Sequence, residues 1–352
     1  MARDPDKDGD ADAQSPQRQR PRSPAGNVSL AAVASLAGVS EATVSRVLNR
    51  KYGVSAATRV AVEVALRKIG YERPVRGELV VLLVPNLLDA IFATMCESIE
   101  NEITPYGLRT IVCPGVAQER EYIESLLDAG VAAVVFLSSS NTTRHSDLVA
   151  RQLLISRGIP FIGVNGGFPD MPTAVFSTDD WRAAEIAVGH LYDLGHRRIG
   201  MCAGPVGNTP ADRRVEGFVQ AMDRRGLPNS EDFVVRQYFG IEGGRHAADE
   251  LLALGVSAIV ASSDDMALGA VRSIQRNGLK VPGDISVVGY NDSYMLDFTD
   301  PPLTTVRQPV ERIAENTTRA ILALISNREL PLTEVLIEPE IRLRASTGPA
   351  VR

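Results

Sequence analysis

The chain contains few of the residues that build metal centres and disulfide frameworks. Its 352 residues include 3 cysteines and 4 histidines. The cysteines are odd in number and lie far apart in apolar or Gly/Pro surroundings, which argues against a disulfide framework or a thiolate metal site. We therefore expect no metal and no cofactor, and interpret the cysteines as core or surface thiols. The residues concerned are Cys96, Cys113 and Cys202, with the scattered histidines His145, His190, His196 and His246.

Long hydrophobic runs and catalytic motifs are absent as well. No apolar run approaches the roughly 20 residues that cross a bilayer, and the N-terminus is rich in Asp, Arg and Pro where a signal peptide would need an apolar stretch. There is no phosphate-binding Gly-rich Lys loop, no nucleophile-elbow serine and no reactive cysteine motif. Adjacent carboxylates such as Asp179-Asp180 stand at predicted helix starts, where acidic residues are common. We expect a cytoplasmic, non-enzymatic protein without membrane contact.

The net charge of −6 conceals an asymmetry along the chain. Residues 1–26 hold five basic and five acidic residues, whereas residues 27–77 hold eight basic against three acidic ones, a net of +5. The remainder holds 24 basic and 35 acidic residues, a net of −11. Because nucleic-acid binding requires local positive charge, the pattern favours a small basic module ahead of a large acidic body.

The basic module has the pattern of three short helices. Residues 1–26 have almost nothing apolar to bury and are predicted to be a disordered tail. Helices are then predicted over residues 30–36, 41–49 and 56–69, each preceded by a serine suited to cap it, with Gly38 supplying the turn between the first two. In the third helix, Val60, Val64 and Leu66 are predicted to face the other two.

The acidic body alternates apolar runs with amphipathic stretches, which is typical of parallel-sheet α/β units. About 270 residues and eight candidate strands favour two doubly wound lobes with a cleft between them, in which ligands bind at the carboxyl ends of the strands. The candidate strands cover residues 79–84, 110–113, 133–137, 161–164, 199–202, 233–237, 258–261 and 285–289.

The second helix carries the chemistry of base recognition. Val44, Val47 and Leu48 have the spacing of a buried stripe, which places polar residues on the opposite face. Arg46 suits a bidentate contact with guanine, and Glu41 suits a contact with cytosine. Ser45 and Asn49 suit bases or phosphates, and Ala42 suits a thymine methyl. The alternative is that Arg46 is a solvated surface side chain and that Glu41 only favours the helix start.

The module resembles the DNA-binding domain of the LacI/GalR family of regulators. The resemblance rests on VSLAAVASLAGVSEATVSRVLN at residues 28–49, VSAATR at residues 54–59, and Gly70-Tyr71. It implies that Glu41 and Ala42 discriminate operators and that Arg46 reads bases. Further positions are implied to reach phosphates or base edges: Ser29, Ser40, Thr43, Ser45, Asn49, Ser55 and Thr58.

The linker departs from the family pattern. Members of the family usually continue into an Ala-Arg-Ser-Leu-like hinge helix that wedges a leucine into the minor groove. Here residues 74–78 lead directly to the strand at Leu79 without that motif. Either Leu79 or Val75 forms a reduced wedge, or binding relies on the major groove and phosphates with weaker bending of the operator. We favour the second.

The body resembles a family sensor domain of the periplasmic sugar-binding type. The motifs are LGHRRIG at residues 194–200, RVEGF at 214–218, DDMALG at 264–269, VPGDISVVGYND at 281–292 and DPPLTTVRQP at 300–309. The resemblance implies three crossings between lobes, near residues 177–180, 304–309 and 333, and a helix over residues 310–326 that returns to the first lobe. The predicted parts are a tail (1–26), a helix-turn-helix domain (27–73), a linker (74–78), a ligand-binding and dimerisation domain (79–346) and a C-terminal tail (347–352).

The resemblance places a polyol site in the cleft, where such a ligand needs flat apolar surfaces and fixed hydrogen-bonding groups. Phe92 and Phe239 would pack on the ligand and Arg214 and Asn291 would hold its polar edge, with further groups nearby: Asn165, Ser263 and Asp264. Asn291 stands where an aspartate is more usual, so the preferred ligand differs in its hydrogen bonding. The alternatives are that both phenylalanines are lobe core, that Asp264 caps a helix beginning at Asp265, and that Arg214 forms an interlobe salt bridge.

These patterns together predict a sequence-specific repressor that binds double-stranded operator DNA as a homodimer or tetramer. A small molecule controls it, and we favour a sugar. Both an inducer and a co-repressor are compatible with this arrangement. A transport-type sugar-binding protein would need an export signal and would lack the basic module. A sugar or nucleotide enzyme on a doubly wound fold would need a catalytic constellation.

Overall fold

The computed structural model describes residues 30–48, 54–68, 77–127, 129–138, 140–142, 148–168, 170–227, 230–326 and 328–351. The predicted tail of residues 1–26 and residues 74–76 of the predicted linker lie outside them. The chain forms two compact units, residues 1–74 and residues 75–352. Within the described ranges, no single helix is both long and apolar enough to cross a bilayer.

The first unit consists of three helices around a small apolar core. The helices are α1 (Leu30–Ala37), α2 (Glu41–Leu48) and α3 (Ala56–Lys68), each within one residue of its predicted bounds. Their buried residues follow the three-to-four spacing of helix faces. These core residues are Val33, Ala34, Val44, Val47, Val62, Ala65 and Leu66.

The prediction for the inward face of α3 is wrong at two positions. Val60 and Val64 are exposed, at 57% and 41%, whereas Val62 is fully buried. The inward stripe of α3 consists of Val62, Ala65 and Leu66, with the spacing i, i+3 and i+4. Because valines stand at positions 60, 62 and 64, helical periodicity alone did not decide which of them faces inward.

The second unit contains two six-stranded sheets among its described residues, in the orders β11-β5-β4-β3-β1-β2 and β12-β10-β9-β8-β6-β7. All pairs are parallel except β10 with β12. The strands of the first sheet are β1 (Leu79–Val84), β2 (Arg109–Pro114), β3 (Val131–Leu137), β4 (Phe161–Val164), β5 (Val175–Thr178) and β11 (Glu334–Ile337). Those of the second are β6 (Ile199–Ala203), β7 (Val234–Arg236), β8 (Ala258–Ala261), β9 (Ser286–Asn291), β10 (Thr305–Arg307) and β12 (Glu340–Arg342).

Helices cover both faces of each sheet, which buries the strands and explains their continuous apolar runs. In the first lobe, α4 and α11 pack on one face and α5 and α6 on the other. In the second lobe, α7 and α8 pack on one face and α9 and α10 on the other. The helices are α4 (Ala90–Ile103), α5 (Glu119–Leu126), α6 (Leu148–Ser156), α7 (Asp180–Asp193), α8 (Thr209–Arg224), α9 (Ile241–Ala253), α10 (Asp264–Arg276) and α11 (Val310–Ile325). The predicted two-lobed α/β body is therefore confirmed.

The chain passes between the lobes at three points. It leaves β5 for α7 at residues 178–180 and leaves β10 for α11 at residues 308–309, as predicted. The third crossing lies at residues 338–339, between β11 and β12, rather than near Thr333. The difference arises because β11 pairs with β5 over residues 334–337, which keeps this segment in the first lobe.

The segment predicted as a C-terminal tail is packed on the second lobe as far as Ala350. The Ala350 amide donates to the Leu194 carbonyl at 2.9 Å. The buried His196 ring lies between Ser257 Oγ, 2.9 Å from Nδ1, and both Ser286 Oγ and the Gly348 carbonyl, each 3.0 Å from Nε2. The packed body therefore continues past its predicted end at residue 346.

Burial lowers the pKa of His196 below its ordinary value. The folded protein thus prefers the neutral ring, and unfolding becomes easier as the pH falls below about 6.5, where the unfolded chain binds the proton more readily. We expect His196→Asn to remove up to about 1 kcal/mol of the acid destabilisation between pH 7 and pH 5.5. Urea unfolding of variant and wild type across this range measures the difference. The exposed His246→Asn is the control, and parallel curves for all three proteins would contradict the assignment.

Candidate DNA-reading helix and ligand cleft

The first two helices have the geometry of a helix-turn-helix. The axes of α1 and the segment Glu41–Val47 differ by 97°, within the range of this motif. Gly38 makes the turn with φ of +65°, a conformation that glycine adopts without steric cost. The Val39 amide then donates to the Ala34 carbonyl at 3.0 Å, which closes the end of α1.

The outer face of α2 presents the predicted base-reading residues to solvent. Glu41, Ala42 and Arg46 are exposed, while Val44 and Val47 are buried on the opposite side. Among the described residues, no ion pair or hydrogen bond occupies the Arg46 guanidinium. Ser45 and Thr43 are half-buried on the same helix. Glu41, Ala42 and Arg46 are therefore accessible to a partner.

Two serine–threonine pairs cap the starts of α2 and α3. The Thr43 amide donates to Ser40 Oγ at 3.2 Å, and the two hydroxyls are 2.9 Å apart. Ser55 and Thr58 repeat the arrangement at 3.1 and 2.8 Å. The hydroxyls at these two helix starts can themselves donate to phosphate oxygens. Two further predicted contact residues, Ser29 and Asn49, lie outside the described residues.

Leu79 does not serve as a minor-groove wedge in this structure. It is the first residue of β1 and pairs with Arg109 on one side and Val131 on the other. A side chain fixed in a parallel sheet is not available to insert between bases. The other wedge candidate, Val75, lies outside the described residues.

The candidate cleft lies where the strand order of each sheet reverses. In the first sheet β1 lies between β2 and β3, and in the second β6 lies between β7 and β8. Ligands of doubly wound sheets bind outside the carboxyl ends of strands at such points. The loop after β1 leads to Asp89 and Phe92, and the loop after β8 leads to Ser263 and Asp264.

A buried charge cluster joins α7, α8 and β9 in the second lobe. Arg214 Nη1 contacts Asp180 Oδ1 at 2.5 Å, and the Tyr290 hydroxyl donates to the same oxygen at 2.8 Å. The Arg214 guanidinium carbon also lies 4.4 Å from the centre of the Tyr290 ring. Although burial opposes it, the charge of Asp180 raises the pKa of Arg214, so the guanidinium stays charged. The pair joins α7 and α8 of one lobe, so the interlobe salt bridge considered for Arg214 is not formed.

One buried atom in this cluster has no partner within the protein. Arg214 Nε makes no hydrogen bond, although the residue is only 7% exposed. An unsatisfied buried donor costs free energy unless a ligand or water accepts from it. Arg214 Nε therefore has a hydrogen bond left to donate.

Ser263 and Asp264 are both held by the protein itself. Ser263 Oγ accepts from the Met266 amide at 3.2 Å and is the N-cap of α10. The helix starts at Asp264, so the alternative that Asp264 is its cap is wrong. Asp264 accepts instead from Thr305 Oγ1 at 2.7 Å and from the Ser293 amide at 2.8 Å.

The Gln308 side-chain amide joins the lobes beside the predicted ligand residues. Gln308 Oε1 accepts from Asn165 Nδ2 at 3.1 Å and from Thr178 Oγ1 at 2.9 Å. Gln308 Nε2 donates to Asn291 Oδ1 at 2.8 Å. The predicted residues Asn165 and Asn291, which belong to different lobes, are thus brought together through a residue of the second crossing.

Both asparagines adopt backbone conformations that side chains rarely tolerate. Asn165 has φ of +55° and Asn291 has φ of +130°. Such strain persists only where surrounding contacts impose it, and it clusters at functional sites. Asn165 is further fixed because its Oδ1 accepts from the Thr178 amide at 3.0 Å.

The two predicted aromatic contacts differ in their surroundings. Phe92 is half-buried and packs against the core of the first lobe. It therefore partly fits the alternative that it is a core residue. Phe239 is 39% exposed, so it is not lobe core. The Phe239 ring lies over Gly204, where any side chain would collide with it at 2.5 Å.

Sequence reasoning did not identify Asp89, Asp180 or Gln308. Asp89 caps α4, and its Oδ1 accepts from the Ile91 amide at 3.3 Å. Burial, with further contributions from the charges of Asp265 and Asp264, raises the pKa of Asp89 to about 6. Those two carboxylates and Arg214, whose charge lowers the pKa, belong to the second lobe, so Asp89 lies within electrostatic reach of that lobe. Gln308 lies within a motif that the sequence did show, so its position after a crossing strand was an available signal.

Replacing Gln308 by Met keeps the side-chain length and removes all three of its hydrogen bonds. The buried polar groups of Asn165, Thr178 and Asn291 that bonded to Gln308 are then left without a partner. We therefore expect the free energy of unfolding to fall by about 2–4 kcal/mol. Urea denaturation measures this change. The exposed Gln220→Met is the matched control, and a loss no larger than that of the control would refute the bridging role.

Family models and relatives match both units of the chain. Residues 29–73 match the model described as bacterial regulatory proteins, lacI family, and residues 188–347 match a periplasmic binding protein-like domain. The HTH-type transcriptional regulator MalR of Streptomyces coelicolor is 41% identical, over 91% of this chain and 97% of its own length. The HTH-type transcriptional repressor CytR of Escherichia coli is 32% identical, over 90% and 95%.

Solved structures agree with the sequence relatives. A complex of the transcriptional regulator CelR with cellobiose is 30% identical and covers 91% of this chain and 100% of that one, with a TM-score of 0.70. The lac repressor dimer bound to operator and the anti-inducer ONPF is 26% identical and covers 91% and 99%, with a TM-score of 0.66. Since these relatives share both the helix-turn-helix unit and the cleft-bearing body, the chain belongs to the LacI family of bacterial transcriptional regulators.

Proposed function

We propose that the protein is a homodimeric repressor whose affinity for its operator is set by a sugar bound between the lobes of its body. The observation that carries the proposal is the pairing of an exposed base-reading face on α2 with a cleft in which buried hydrogen-bonding groups converge. Because bacterial operators lie in the cytoplasm, the proposal locates the protein there. It assigns no catalytic step to any residue.

The DNA contacts follow from the exposed chemistry of the first unit. Arg46 donates two hydrogen bonds to guanine in the major groove, and Glu41 and Ala42 discriminate neighbouring pairs. The hydroxyls at the capped starts of α2 and α3 contact phosphates, which fix the register of the helix on the duplex. Ser29 and Asn49 join this interface on the strength of the family resemblance.

A dimer suits the short reach of one helix, because each subunit then occupies one half-site of a palindrome. The lac repressor neighbour is described as a dimer bound to operator. On this body the 3-10 helix Tyr294–Phe298 exposes Tyr294 and Phe298, at 76% and 85%. We assign these two exposed aromatic side chains to the contact between the two copies of the chain.

The ligand assignment draws on two sugar-bound neighbours. One is the CelR–cellobiose complex, and the other is a regulator from Enterococcus faecium with bound ribose, 27% identical over 77% of this chain with a TM-score of 0.69. In this cleft Arg214 and Asn291 hydrogen-bond the sugar and Phe92 and Phe239 cover its apolar faces. Asn165, Ser263 and Asp264 shape the site, because their side chains already bond within the protein.

Arg46→Ala should remove discrimination between the operator and other duplexes. Loss of one bidentate pair costs about 1–3 kcal/mol per half-site, so operator affinity should fall at least tenfold more than affinity for a scrambled duplex, which loses only the attraction of one positive charge. The operator is first selected from random duplexes with the wild-type protein. Fluorescence anisotropy at fixed salt then gives both dissociation constants.

Lys68→Ala is the control. Lys68 is exposed at the end of α3, and its replacement by alanine also removes one positive charge. We expect it to weaken binding to both duplexes alike. If Arg46→Ala preserves the ratio of the two dissociation constants, the DNA-reading assignment fails.

A further inference from the structure

The charge of the cleft narrows the class of its ligand. The positive charge of Arg214 is compensated within the protein, because its side chain, 8% exposed, is in contact with the Asp180 carboxylate, 1% exposed. The free Nε–H can still donate a hydrogen bond. To a ligand, this ion pair therefore presents no net charge.

Carboxylates without a cation lie on both sides of the cleft. Asp89 belongs to the first lobe, and Asp264 and Asp265 belong to the start of α10 in the second. Among the described residues, no Arg, Lys or His forms an ion pair with any of the three, and Arg214, whose charge lowers the pKa of Asp89, is itself compensated by Asp180. The nearby Asp292 differs from them, because Arg344 Nη2 contacts its carboxylate at 2.7 Å.

The N-terminus of α10, where an anion could otherwise bind, is occupied by side chains of the protein. The N-terminus of a helix attracts phosphate through its free amides and its dipole. At α10, the Ser263 hydroxyl caps the Met266 amide, and Asp264 and Asp265 supply negative charge to the first turn. A phosphate entering here would meet like charges in place of unsatisfied donors.

We infer that the cleft takes an uncharged sugar and rejects the phosphorylated and uronic acid forms of the same sugar. The inference rests on the proposed function and specifies the ligand class of that site. Sugar hydroxyls donate to carboxylates such as Asp89 and Asp265, which only accept when ionised. An anionic ligand must instead be desolvated beside those carboxylates without a balancing cation.

Matched sugar pairs test the inference on the full-length protein. The probes are cellobiose, ribose and glucose, each compared with an anionic partner: cellobiuronic acid, ribose 5-phosphate, and glucose 6-phosphate or glucuronate. Isothermal titration calorimetry at pH 7.5 gives the dissociation constants. We expect a neutral sugar to bind and its anionic partner to bind at least a hundredfold more weakly.

Charge-removing variants separate electrostatic rejection from simple steric exclusion. Asp89→Asn keeps a side chain that caps α4, and Asp265→Asn keeps the shape of the original residue. In the double variant, the ratio of the neutral and anionic dissociation constants should shrink about tenfold, since two charges that repel an anionic ligand are removed. Asp232 is an exposed carboxylate of the second lobe, and Asp232→Asn should leave the ratio unchanged. Thermal unfolding verifies that the variants are folded.

The outcomes are distinguishable. Equal or tighter binding of an anionic partner overturns the inference while leaving a sugar ligand in place, and so does a ratio that the double variant does not alter. If none of the neutral or anionic sugars binds, the proposed sugar effector itself fails. A bound neutral sugar, a rejected anion and a ratio restored by the variants together support the inference.

Discussion

The side-chain amide of Gln308 is the contact around which the body is organised. It lies at the second crossing between lobes and bonds to Asn165 and Thr178 on one side and to Asn291 on the other. A ligand that hydrogen-bonds Asn291 therefore acts on a group already connected to the other lobe. Rearrangement of a buried polar network of this kind is discrete rather than gradual, which suits a two-state switch.

Much of the architecture could be predicted because local sequence determined it. Helices α1, α2 and α3 and eight of the strands were marked by caps and by apolar runs. Four strands were missed: β5, β10, β11 and β12. They span three or four residues, and β11 forms only because it pairs with β5, more than 150 residues earlier in the chain. Short strands that depend on distant partners carry little local signal.

The site shows the same division between local and long-range information. Motifs indicated Arg46, Arg214 and Asn291, since each lies in a run of recognisable residues. The roles of Asp89 and Asp180 depend on side chains brought near by folding: Asp180 compensates Arg214 from another helix, and Asp89 lies opposite Asp265 across the lobes. Helix-start carboxylates are so common in sequences that neither residue was distinguishable there from a simple cap.

The central claim is that occupancy of the cleft changes the affinity of α2 for DNA. The measurement that tests it most directly is the operator dissociation constant with and without a saturating sugar from the calorimetric panel. The account predicts that the sugar changes the operator dissociation constant by about 5- to 150-fold. This change should be lost in the Asn291→Ala variant, because the Asn291 side chain links the ligand to Gln308. An operator affinity that is identical in the free and sugar-bound protein would contradict it.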